Sequence, residues 1–209
     1  LEMVLNSIWQ TFGWQAINIL GSICVAYPLA RYKFPGRSFC YGIILFRITI
    51  PIVGSGAVAY KFLRAIGMIN NPIWYSLTYF QGFDLAALIL YGYFKGISRE
   101  YSEAAYIDGA TRLQVLGKVV LPLAMPCVIA LFISNVMAQW NNYSTPMIYM
   151  TKYPNLAYGI YLFQDEVLFI ENGMPLFFGA IIITSLVPLL LFTLGQKTML
   201  TNMSVGGLK

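Results

Sequence analysis

Few side chains in this 209-residue chain could carry out covalent chemistry. Histidine is absent, so imidazole catalysis is impossible and a zinc centre has lost its commonest nitrogen ligand. Cys24, Cys40 and Cys127 sit in or beside apolar stretches with no CxxC spacing, and they read as buried, unpaired thiols. No GxxxxGK[ST] occurs, so the chain has no P-loop to cradle nucleotide phosphates. The residues that invite a chemical question are two charges inside apolar runs, Arg47 and Asp84, and the polar interval Glu103–Pro126. Their chemistry is electrostatic and mechanical; the reading includes no catalytic residue, metal or cofactor.

The elements that must position them are membrane helices. Hydrophobic residues make up 58% and charged residues 10% of the chain, against about 25% charged in soluble domains. Mean hydropathy is +0.68. Five long apolar stretches follow one another, each near the ~20 residues that cross a bilayer core. They run from about Ser7 to Ala30, Phe39 to Phe62, Ile73 to Phe94, Leu121 to Tyr143 and Gly173 to Leu194. Residues Ser144 to Asn172 are aromatic and turn-rich, too interrupted to cross. The expected fold is an all-α polytopic bundle.

Between the third and fourth spans the sequence carries helix punctuation. Ser98 can cap a helix whose first turn holds Glu100. Tyr101, Ala104 and Ala105 fall at i, i+3 and i+4 and share a face. Asp108-Gly109 is a stop, with Gly109 free to turn left-handed. Thr111-Arg112-Leu113-Gln114 has capping-box spacing. The expectation is two helices at an angle across a glycine turn.

The net charge of +5 has no polybasic run behind it, so it points to topology rather than to nucleic acid. One side of the bilayer collects Arg31, Lys33, Arg37, Lys95, Arg99, Arg112, Lys118, Lys197 and Lys209, while the other collects Lys61, Arg64 and Lys152. The positive-inside rule makes the first side cytoplasmic, with the punctuated loop and the C-terminal end. Leu1 then falls outside, and one further span before it would make six. Arg47 lies ten residues past Arg37 and Asp84 eleven before Lys95, each about 15 Å into the bilayer at ~1.5 Å per residue. Matching depth predicts an Arg47–Asp84 ion pair or two residues lining a cavity, because isolated charges there are costly.

Glu103, Ala104, Ala105, Asp108, Gly109 and Ala110, followed by Leu121-Pro122 and Pro126, resemble the EAA loop of ABC importer permeases. Leu29 to Gly36 resembles the first cytoplasmic turn of the carbohydrate-type permeases, and Trp140-Asn141 resembles their fifth-helix Trp-Asn pair. The tail, Gln196-Lys197 through Gly206-Gly207-Leu208-Lys209, is similar to that of the maltose-transporter-like second permease subunit. The resemblance covers nearly all 209 residues and implies a single type I permease domain over 1–209 lacking the family's first helix. It implies a coupling loop at 95–121 and a cytoplasmic tail at 196–209.

By that resemblance the chain is a multi-pass subunit of a bacterial inner-membrane, binding-protein-dependent carbohydrate importer. It would couple through the EAA loop to two ATPase subunits, which bind the ATP. A second, related permease and an extracytoplasmic sugar-binding protein complete the expected partners. The helix before Asp108 would dock in the ATPase; Gln196, Lys197, Gly206 and Gly207 would touch it as well. Tyr153, Asn155 and Tyr158, with Tyr161 and Phe163 nearby, would face the binding protein or a sugar, or anchor the chain at the interface. Two rival readings are an ABC importer permease for a non-sugar solute and an ion-coupled secondary transporter using Arg47 and Asp84.

Overall fold

The computed structural model describes residues 1–50, 54–169 and 173–203, with side chains to residue 196. The described residues are helical, with no strand among them. Helix α1 is Glu2–Arg31, α2 Arg37–Thr49, α3 Gly56–Ala65, α4 Pro72–Ser76 and α5 Leu85–Gly96. Helix α6 is Glu100–Ile107, α7 Arg112–Trp140, α8 Ser144–Tyr149, α9 Leu156–Glu166 and α10 Gly173–Met203.

Three of the five expected spans are uninterrupted helices long and apolar enough to cross a membrane: α1, α7 and Gly173–Gln196 of α10. The second and third are broken, which corrects the sequence reading. Phe39–Phe62 divides between α2 and α3, with Gly54 at φ +86° before α3. In Ile73–Phe94 the chain leaves helix after Tyr79 and re-enters at Leu85. Gly82 turns left-handed there, at φ +66°, and Asp84 caps the new start by accepting the Ala87 N–H at 2.9 Å. The twelve residues of α5 extend about 18 Å, short of the ~30 Å apolar core.

The lead-in helix expected after Thr111 runs straight into span four as α7, through a π turn at Leu116–Val120. Pro122 and Pro126 have no N–H to offer the preceding turn, so the regular ladder is interrupted at this place.

Contacts divide the chain into two compact units. One comprises Leu1–Ile17, Val53–Tyr79 and Ile133–Leu194. Its core is Trp14, Tyr75 and Met150, with the Trp14 ring stacked on Tyr79 at 4.7 Å. The start of α1 is tied to the start of α9: Asn6 Nδ2 donates to the Pro154 carbonyl and Ser7 Oγ accepts the Leu156 N–H. The other unit comprises Asn18–Ile52, Phe80–Phe132 and Gly195–Lys209. Its core draws Ile23, Ala26 and Tyr27 from α1, Leu90 and Phe94 from α5, and Val115, Val120 and Ala124 from α7. The loop that carries the EAA residues is held on this second core.

Candidate functional site

The loop is built from local hydrogen bonds. Glu100 N–H reaches Ser98 Oγ at 3.3 Å, and Glu100 and Glu103 stand in the first turn of α6, where carboxylates suit the positive end of the dipole. At the other end the Ala110 N–H bonds the Ala105 carbonyl and the Gly109 N–H bonds the Tyr106 carbonyl, at 2.9 and 3.0 Å. Those two bonds with Gly109 at φ +81° make a Schellman stop. The chain then restarts at once on a reciprocal capping box, in which Thr111 N–H donates to Gln114 Oε1 and Gln114 N–H to Thr111 Oγ1. Both ends of the turn are therefore fixed by the chain itself.

The exposed face of α6 differs in one residue from the expected one. Tyr101, Ala104, Ile107 and Asp108 are exposed, Ile107 to 86%, whereas Ala105 turns inward with Ala110 onto the core. Packing against the buried cluster of this unit consumes Ala105, and Ile107 takes its place on the open side. Leu113, 80% exposed, lies just beyond the turn, and Glu103 is exposed. On the other side of the helix the hydroxyl of Tyr106, itself exposed, is 3.4 Å from that of Tyr32, and the exposed Arg112 lies over the Tyr32 ring at 5.4 Å. The hydrogen bond with Tyr32, then burial, pushes the Tyr106 phenol above its ordinary range, so it stays protonated.

The two intramembrane charges have separate partners rather than each other. Arg47 donates from Nη2 to Gln81 Oε1. Asp84 takes Asn18 Nδ2 at 2.8 Å on Oδ2, and Ser22 Oγ at 3.0 Å with the Ala87 N–H on Oδ1. A direct pair was the simplest way to match two charges by depth, but Asp84 is satisfied as a helix cap, and depth alone could not show that. Asn18 and Ser22, at i and i+4 of an apolar helix, are the residues the sequence reading missed; their spacing was the available signal.

On the stretch expected outside, Asn155 is 1% exposed. Its side chain accepts the Tyr158 N–H and donates to the Asn142 carbonyl. Asn155 is thus a helix cap in the core and not a contact surface. Tyr153 is exposed and Tyr158 half-buried; Tyr161 stacks on Tyr143 at 4.7 Å. Trp140 is buried and donates from Nε1 to the Thr184 carbonyl, fastening α7 to α10. In the tail, Gln196 is exposed and the backbone at Lys197 continues α10, while Gly206 and Gly207 lie outside the described residues.

The arrangement as a whole matches solved transporters. Its fold superposes with TM-score 0.70, at 23% identity over 93% of this chain and 75% of the other, on a bacterial ABC transporter involved in import of the acidic polysaccharide alginate. The methionine ABC transporter MetNI gives TM-score 0.60 at 16% identity, over 95% of both chains. The fold is therefore that of an ABC importer permease, all-α and multi-pass. Residues 17–200 match the sequence family described as binding-protein-dependent transport system inner membrane component, and the chain belongs to that family. Among relatives, the diacetylchitobiose uptake system permease NgcG of Streptomyces coelicolor is 30% identical over 194 residues, 91% of this chain. The sulfoquinovosyl glycerol permease SmoH of Agrobacterium fabrum is 28% identical over 99% of it. The maltose/maltodextrin permease MalG of Salmonella typhimurium is 26% identical, also over 99%. The chain spans 63% of the length of NgcG, 72% of SmoH and 73% of MalG.

Proposed function

We propose that this chain is the permease subunit of an ATP-driven, binding-protein-dependent carbohydrate importer, with the α5–α7 turn and the end of α10 in the cytoplasm. The observation that carries the coupling role is α6 itself. It is a short helix stopped and restarted by its own hydrogen bonds, presenting Tyr101, Ala104 and Ile107 with Leu113 beyond. A connecting loop has no need of exposed apolar residues on a rigid mount; a docking element does. Because α7 continues from the turn into the membrane without a break, displacement of α6 would be passed to α7 as a rigid body. ATP binds to two partner ATPase subunits, a second related permease completes the pathway, and an extracytoplasmic binding protein delivers the solute. The saccharide cargo is supported by the names of NgcG, SmoH and MalG.

The reading is tested on the full-length protein co-expressed with its genomic neighbours. An ATPase subunit is expected to co-purify, and Ile107→Glu is expected to reduce its recovery roughly tenfold, the effect of about 1.4 kcal/mol. Gly109→Pro, which cannot adopt a positive φ, is expected to abolish ATP-dependent uptake of radiolabelled oligosaccharide. Recovery of no ATPase together with intact uptake in Gly109→Pro would end the importer reading. Uptake of an amino acid with no saccharide transported would end the carbohydrate part alone.

A further inference from the structure

Arg47 holds a charge that neither the packing nor the coupling role uses. On α2, Cys40, Ile44 and Arg47 recur at i, i+4 and i+7 and so share one side of the helix. Ile44 forms a buried cluster with Leu29 of α1 and Ala87 of α5, and Cys40 packs against it, so this side is turned toward protein and not toward lipid. Arg47 continues the same side past the cluster, yet it is exposed. Its Nη2 donates to Gln81 Oε1. Gln81 is exposed as well and stands on the non-helical stretch between Tyr79 and Leu85. Ten residues past Arg37, Arg47 lies about 15 Å into the bilayer.

Non-helical backbone at that depth is tolerated inside protein or beside water, but not against lipid, and the same holds for a cation. Both spans concerned are broken, the second after Thr49 and the third at Gly82, and interrupted membrane helices commonly border solute sites. The charge on Arg47 is also uncompensated. Its one hydrogen-bond partner among the described residues is the neutral Gln81 amide. Of the carboxylates in this unit, Asp84 is engaged by three other donors, and Glu100, Glu103 and Asp108 belong to α6 and its C-terminal cap. A sugar hydroxyl would leave the guanidinium charge as it is. A carboxylate or sulfonate neutralises it, and the Arg fork can meet such a group in two parallel bonds.

We propose that Arg47, oriented by Gln81, lines the solute path and binds the anionic group of an acidic saccharide. Gln81 fixes one corner of the guanidinium, and the remaining donors meet the passing carboxylate or sulfonate. The inference rests on the carbohydrate reading above and narrows it to saccharides that carry a negative charge.

The test uses the assembled full-length transporter with its binding protein, in proteoliposomes that enclose ATP. Uptake is followed for two acidic probes, digalacturonate and a 6-sulfoglucoside, and for two neutral ones, galactobiose and maltose. The parent is expected to carry an acidic probe, and Arg47→Gln to carry it roughly tenfold more slowly, the loss of one charge-assisted contact. Arg47→Lys keeps the charge without the fork and is expected to fall between. Gln81→Leu, which frees the guanidinium to wander, is expected to slow acidic uptake several-fold and serves if Arg47→Gln does not assemble. Acidic uptake equal in the parent and these variants overturns the proposal, as does an equal loss for acidic and neutral probes, which marks a structural role. Uptake of neutral probes alone overturns it and leaves the carbohydrate importer standing. Loss of the partner permease from both Arg47→Gln and Gln81→Leu overturns it in favour of a carboxylate on that subunit. Uptake of no saccharide ends the carbohydrate reading and this subsite with it.

Discussion

Asp84 shows how a membrane carboxylate is made tolerable without a counter-charge. Three donors converge on its two oxygens, at 2.8, 3.0 and 2.9 Å, one of them the orphan N–H at the start of α5. Asp84→Asn keeps an oxygen for the cap and is expected to cost less than about 1 kcal/mol. Asp84→Ala removes the cap and strands two side-chain donors, and is expected to cost about 2 kcal/mol or more, read as a lowered thermal midpoint of the purified subunit. Equal midpoints for the two variants would show the cap to be idle. Because Arg47 leans on Gln81 instead, Arg47→Met and Asp84→Asn are expected to add to within about 0.5 kcal/mol in a double-mutant cycle. A larger coupling would restore the ion pair that the sequence alone suggested. Depth along a span was readable from residue counts; the partners were not, since Asn18 and Ser22 meet Asp84 only after α1 and α5 pack.

The elements were legible where their signals are local and obscure where packing decides. Capping-box spacing and the Asp-Gly stop depend on a few consecutive residues, and both appear in the structure as read. The inward turn of Ala105 depends on its packing against the buried cluster of this unit, which no local pattern encodes. The break in the third span was partly visible as Gln81-Gly82-Phe83-Asp84, but the apolar residues on both sides concealed it. Two of the left-handed glycines, Gly82 and Gly109, give a graded prediction. A Cβ on Gly109 meets nothing within 4 Å, so Gly109→Ala bears the strain of its φ alone, about 1–2 kcal/mol. A Cβ on Gly82 would stand 2.6 Å from the Gly21 carbonyl oxygen and 2.5 Å from Val25 Cγ2, forcing α1 away as well. Gly82→Ala is therefore expected to lower the thermal midpoint more than Gly109→Ala, whereas Gly109→Asn, tolerant of this conformation, is expected to be nearly silent. The reverse order would mean that the α1 seam yields easily.

At the scale of the molecule, composition alone placed the chain in a bilayer, and the placement of its cations yields a test independent of cargo or partner. Nine Lys and Arg fall on one expected side against three on the other, and α1, α7 and Gly173–Gln196 of α10 are long enough to connect the two. Both probe positions are exposed, Lys33 in the turn after α1 and Lys152 between α8 and α9, so labelling reports the side of the membrane rather than burial. In full-length protein with Cys24, Cys40 and Cys127 replaced by Ala, Lys152→Cys is expected to react with a membrane-impermeant maleimide on intact cells. Lys33→Cys is expected to react only after permeabilisation. The same labelling in both positions would break the span order, and inverted labelling would place α6 outside, where no ATPase could reach it. The expected result would put the turn after α1, the α6 docking face and the end of α10 in one compartment, the geometry that the coupling role requires.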